Sequence, residues 1–91
     1  MTINEAVNKL RLPNPSTPED LEMRWNKVLT FGDKVVLAGY FFNGANKPCW
    51  YSATYEFLTA DRSCEGTVGL RAVSDIEFED DGHAIQWAFW H

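Results

Sequence analysis

Three carboxylates recur at alternate positions near the C-terminus: Asp75, Glu77 and Glu79. In a strand, alternate side chains share a face and each residue rises about 3.3 Å, so the three would stand roughly 6.5–7 Å apart in a row. That spacing resembles the phosphate repeat of an extended nucleic-acid strand. Such a row could occupy a groove built for a nucleic-acid backbone, steered there by attraction to a basic surface. A solvated strand face would show the same alternation, and Arg71, at the same parity, offsets part of the charge. Acid–base catalysis is disfavoured, because nothing in the sequence encloses these carboxylates so as to separate their pKa values.

The remaining reactive side chains do not assemble into a motif. Cys49, Cys64, His83 and His91 lack C-x-x-C or H-x₃₋₅-H spacing, which argues against a zinc site. A cysteine nucleophile needs a histidine and an orienting carboxylate, and nothing ties either cysteine to His83. One packed thiol and one incidental thiol are expected. Gly66-Thr67-Val68-Gly69 has neither the lysine nor the strand-to-helix context of a phosphate loop. No cofactor, no metal and no enzymatic activity are expected.

Aromatic residues are the other candidates. The chain holds four Trp, three Tyr and six Phe in 91 residues. Large rings help a small core bury enough area, yet Trp and Tyr also anchor interfaces. Trp90, Trp50 and Tyr40 or Phe42 are candidates for an exposed cluster, with Gln86 on the same side.

These residues need elements to position them. Thr2 and Glu5 fit a capping box, and Ile3, Val7 and Leu10 recur at helical spacing, so a helix is expected over residues 3–11. The proline-rich stretch 13–18 ends it. Thr17, Pro18, Glu19 and Asp20 form a second start signal, with Leu21, Trp25, Val28 and Leu29 as a buried stripe to about residue 30. Residues 35–42 and 49–58 read as strands. In the second, Tyr51, Ala53, Tyr55 and Phe57 share one face and Trp50, Ser52, Thr54 and Glu56 the other. Residues 67–80 read as one long strand, or as two broken near Ser74. Asp81-Gly82 reads as a two-residue hairpin turn into a strand over 83–91. In that register Phe78 faces Ile85, Ile76 faces Trp87, and Glu77 faces Gln86.

The expected fold is therefore α+β. Two short N-terminal helices pack on a four-stranded, mainly antiparallel sheet that ends in a C-terminal hairpin. A single domain spans residues 1–91, helical over 1–30 and sheet over 34–91. Ile76, Phe78, Ile85, Trp87 and Phe89 would face Val7, Leu10, Leu21, Trp25 and Val28.

Charge narrows the partner. The net charge is −5, and residues 1–45 hold five acids and five bases while residues 46–91 hold eight acids and three bases. An excess of acid concentrated in one half disfavours binding to nucleic acid or to an anionic membrane and favours a basic protein. No signal peptide and no membrane span are read, so a cytoplasmic location is expected. In size and charge alone, the chain resembles phage-encoded anti-defence proteins, anti-CRISPR proteins among them, and immunity proteins of toxin systems. That resemblance implies a protein-binding inhibitor; the carboxylate row and the aromatic side give it a docking face of Asp75, Glu77, Glu79, Gln86, Trp50 and Trp90 for a basic, nucleic-acid-handling partner. An adaptor or accessory subunit of a larger assembly, or a small-ligand module using the aromatic side for stacking, are the alternatives.

Overall fold

The computed structural model describes residues 4, 5, 8, 12, 14–22, 26–42, 44–74 and 76–91. Four strands follow one another in an antiparallel meander: β1 (Lys27–Phe31), β2 (Lys34–Phe42), β3 (Pro48–Phe57) and β4 (Val68–Val73). A one-turn helix, α1 (Pro18–Leu21), precedes them and a longer helix, α2 (Asp81–Phe89), follows. The α+β class and the four-stranded antiparallel sheet are as expected. No helix among the described residues is long and apolar enough to cross a membrane.

The sheet arises where β-branched and aromatic residues are dense. β2 and β3 pair from Lys34↔Glu56 to Phe42↔Pro48. Gly32 joins β1 to β2, because Phe31 pairs with Lys34 and leaves only Gly32 and Asp33 in the turn. Gly32 has φ +60, a conformation that glycine adopts without strain and that suits a two-residue hairpin. Gly39 pairs with Tyr51, whose ring lies where a side chain at position 39 would project.

Residues paired across an antiparallel sheet share a face, so the register sorts the core. Val35, Leu37, Tyr51, Ala53, Tyr55, Val68 and Leu70 form one buried face, closed by Leu12 and Leu21. Val28, Phe41, Phe57 and Val73 pack around it. Burial raises the Tyr55 hydroxyl pKa well above its usual value, with a smaller contribution from Tyr51. Ser16 pairs with Val68 through two backbone hydrogen bonds of 3.0 and 2.7 Å, so the segment before α1 lies along the β4 edge.

The opposite face holds Val36, Ala38, Ser52 and Thr54, all fully buried, and α2 covers it. Asp80 caps that helix by accepting a 2.7 Å hydrogen bond from the His83 backbone N–H. Ala84 and Ala88, four residues apart, are the residues of α2 buried completely. The Ser52 hydroxyl donates to the Ala84 carbonyl at 2.6 Å. At the far end Lys34 Nζ donates to the carbonyls of Ala88 and Phe89, at 3.3 and 3.4 Å, where a cation meets the negative pole of the helix. Lys27 pairs with Asp81 at the first turn.

Several expectations are corrected. The helix expected to run to residue 30 ends at Leu21, and Val28 and Leu29 belong to β1. A Val-Leu-Thr-Phe run ahead of a glycine turn gains more from pairing with β2 than helical spacing offers alone. Asn4, Glu5 and Asn8 are helical, while Val7, Leu10, Trp25 and the rest of the first expected helix lie outside the described residues. The C-terminal hairpin is not formed: Asp81-Gly82 is the first turn of α2, and the long strand expected to reach residue 80 stops at Val73. Asp80 capping and the Ala84/Ala88 spacing outweigh the turn preference of Asp-Gly. The inner-face set changes with it, since Ile76 is 54% exposed, Phe89 is also exposed, and Ile85 and Trp87 are half-buried. Trp87 instead stacks on His91, with ring centroids 3.9 Å apart.

Candidate functional site

Because α2 covers only the middle of its sheet face, both ends of that face stay open. At the end near its first turn, Tyr40, Phe42 and Trp50 share the face through the Tyr40↔Trp50 and Phe42↔Pro48 pairs. Tyr40 meets Trp50 edge-on at 5.4 Å and Phe42 at 5.7 Å. Phe42 is 58% exposed, and Tyr40 and Trp50 are half-buried. Of the expected cluster, Trp50, Tyr40 and Phe42 come together here, and Trp90 does not join them.

Carboxylates are dense in the segment that bridges to Trp50. Phe78 pairs with Trp50 through two backbone hydrogen bonds of 2.8 Å. Glu77 and Glu79 flank Phe78 and are exposed. Asp80 and Asp81 follow at the start of α2. The hydrogen bonds from His83 hold the Asp80 carboxyl below the usual carboxylate range, those from the backbone N–H first. Asp81 is lowered chiefly by its hydrogen bond from Lys27.

The sequence-derived site residues are thus only partly united. Trp50, Glu77 and Glu79 come to one end of the sheet. The regular carboxylate row is not formed, because Phe78 makes an isolated bridge rather than extending a strand; Asp75 lies outside the described residues. Gln86 is exposed on α2. Trp90 is 80% exposed but lies past the other end of α2, and a helix of nine residues spans about 13 Å.

At that other end lies a pocket that the sequence reading missed. Phe31, Asp33, Lys34, Glu56, Arg71 and Phe89 line an open concavity of about 480 Å³. Phe31 and Phe89 meet edge-to-face, with centroids 5.3 Å apart. Arg62 pairs with Asp33. Among the described residues no three His, Cys, Asp or Glu side chains converge to hold a metal. Cys49 is buried and Cys64 exposed, and no disulfide joins them, in line with one packed and one incidental thiol. The one sequence signal toward the pocket is the Gly32-Asp33 turn, which brings Phe31 and Lys34 together.

Neither a curated protein nor a solved structure matches the chain. The family described as nucleotide modification associated domain 4 matches residues 12–91, a span that takes in all four strands and both α1 and α2. With most of its length matched, this chain belongs to the nucleotide modification associated domain 4 family.

Proposed function

We propose that this domain is a non-enzymatic, protein-binding inhibitor that docks on a basic, nucleic-acid-handling partner, in the manner of small anti-defence proteins such as the anti-CRISPRs. The observation that carries the reading is the Tyr40–Phe42–Trp50 cluster, left open beyond the first turn of α2, with Glu77, Glu79 and Asp80 in the segment that bridges to Trp50. An aromatic centre with a charged rim is the usual anatomy of a protein interface. The family description supports a partner that works on nucleic acid. The net charge of −5 favours a basic surface over a polyanionic strand. Without a regular row, the carboxylates act as a rim that steers and orients, and inhibition follows from covering the surface the nucleic acid would use.

The test begins with capture of the partner on the immobilised chain from its native host, followed by titration of the purified pair. A basic partner should bind, should release as salt rises, and should lose its nucleic-acid binding in the complex. Phe42→Ser and the double change Glu77→Lys, Glu79→Lys should each weaken the complex. A salt-insensitive complex that leaves nucleic-acid binding intact would mark an accessory subunit instead and would overturn the inhibitor reading.

A further inference from the structure

The pocket at the far end of α2 is built from parts that suit a ligand rather than a protein surface. Its volume of about 480 Å³ falls within the range of small-molecule sites, about 300–1,000 Å³. One wall is aromatic: Phe31 stands 66% exposed with Phe89 edge-on against it at 85°, so a ring face stays open to stacking.

A second, independent feature points into the same space. The pairing of β3 with β4 runs Thr54↔Ala72 and then Tyr55↔Leu70, so Arg71 has no cross-strand partner and the register shifts there. Bulges of this kind re-aim a side chain and recur beside binding sites. Arg71 lines the pocket from β4, the edge strand opposite Phe31 on β1, with Glu56 on β3 between them. Among the described residues neither Arg71 nor Glu56 makes an ion pair. Lys34 spends two of its three donors on the α2 carbonyls. Asp33 is offset by Arg62 and Lys34 by the negative end of α2, which leaves Arg71 and Glu56 as the pocket's uncommitted charges.

We propose that this pocket binds a mononucleotide, with guanine as the matching base. The base stacks on Phe31, and Arg71, with Lys34, holds the phosphate through charge-assisted hydrogen bonds. Glu56 accepts from the base edge, and a carboxylate offers two acceptor oxygens to the adjacent N1–H and N2–H donors that guanine has and adenine lacks. The acidic net charge opposes a long polyanion, but a single phosphate can meet the guanidinium of Arg71, which no carboxylate engages among the described residues. The pocket stands at the opposite end of α2 from the proposed docking surface, so each proposal can fail without the other.

Titration of the full chain by calorimetry tests this with four probes: GMP, AMP, guanosine and inorganic phosphate. GMP should bind most tightly, with guanosine and phosphate each weaker by about tenfold or more, the loss expected when a charge-assisted contact or a stacked ring is removed. Arg71→Ala should lower GMP affinity about tenfold. Glu56→Gln should abolish the preference for GMP over AMP. Both side chains are exposed, and thermal melting of each variant verifies that the fold is kept. Phosphate binding as tightly as GMP, an Arg71→Ala variant that binds normally, or no heat at millimolar GMP would each overturn the proposal.

Discussion

The two faces of the sheet are closed by opposite means. One is filled with large side chains: Tyr51, Tyr55, Leu37, Val35, Val68 and Leu70, sealed by Leu12 and Leu21. The other is built mostly from small ones. Ala38, Ser52 and Thr54 lie under Ala84 and Ala88, and Val36 is the bulkiest buried residue of that face. Small residues let the α2 backbone sit close enough for Ser52 to reach a helix carbonyl. They also turn the larger residues of α2 and its flank outward, which is why Phe89 and Trp90 are exposed. The first face provides stability, and the second positions a helix whose two ends frame the candidate surfaces.

Substitutions break or sharpen that contrast. Leu37→Ala on the large-residue face should have the greatest effect, about 2–5 kcal/mol lost in chemical denaturation, because Leu37 is fully buried among side chains that cannot collapse into the gap. Ala88→Leu should cost less, about 1–3 kcal/mol, by overpacking. Its signature is loss of helical circular dichroism with the sheet signal retained. Ser52→Ala removes the hydrogen bond to Ala84 and should cost about 1 kcal/mol. Thr54→Val should do the reverse. The Thr54 hydroxyl is fully buried and has no hydrogen-bond partner among the described residues, so a methyl group there should stabilise by up to about 1 kcal/mol.

Acid offers a further probe of the start of α2, read through its helical signal. Asp80 has its carboxyl pKa lowered in the folded state, first by the His83 backbone hydrogen bond. A depressed folded pKa means the contribution is present above the unfolded carboxylate value and is lost as pH falls through the lower folded value. Helical signal from α2 should therefore fade at the acid edge of the carboxylate range. Asp80→Asn, which keeps a capping oxygen without the charge, should flatten that titration.

How legible this was in the sequence also divides by face. β2 announces itself through its β-branched and aromatic density and β3 through alternation, and the side holding Tyr51, Ala53, Tyr55 and Phe57 is as the pattern predicts. The C-terminal segment is ambiguous because residues 84–90, Gln86 apart, are apolar at both parities. Period-two reading then finds a strand wherever it looks. The spacing that decided the matter, Ala84 to Ala88 with Asp80 capping, involves small residues that hydropathy weighs lightly. β1 was hidden because Leu21, Trp25, Val28 and Leu29 also fit a helical stripe. The aromatic cluster was within reach, since Tyr40, Phe42 and Trp50 lie on strands correctly read. The pocket was not, because it needs Phe89 delivered by α2 and Arg71 displaced by a bulge, and neither leaves a local mark in the chain.

Both candidate surfaces depend on α2 being a helix laid across the Ser52 side of the sheet, and backbone and side-chain NMR of the intact chain tests that most directly. The account predicts helical carbon shifts through residues 81–89, with the Ala84 methyl close to Ser52. Extended shifts over the same residues, with Phe78 facing Ile85 across a hairpin, would contradict it.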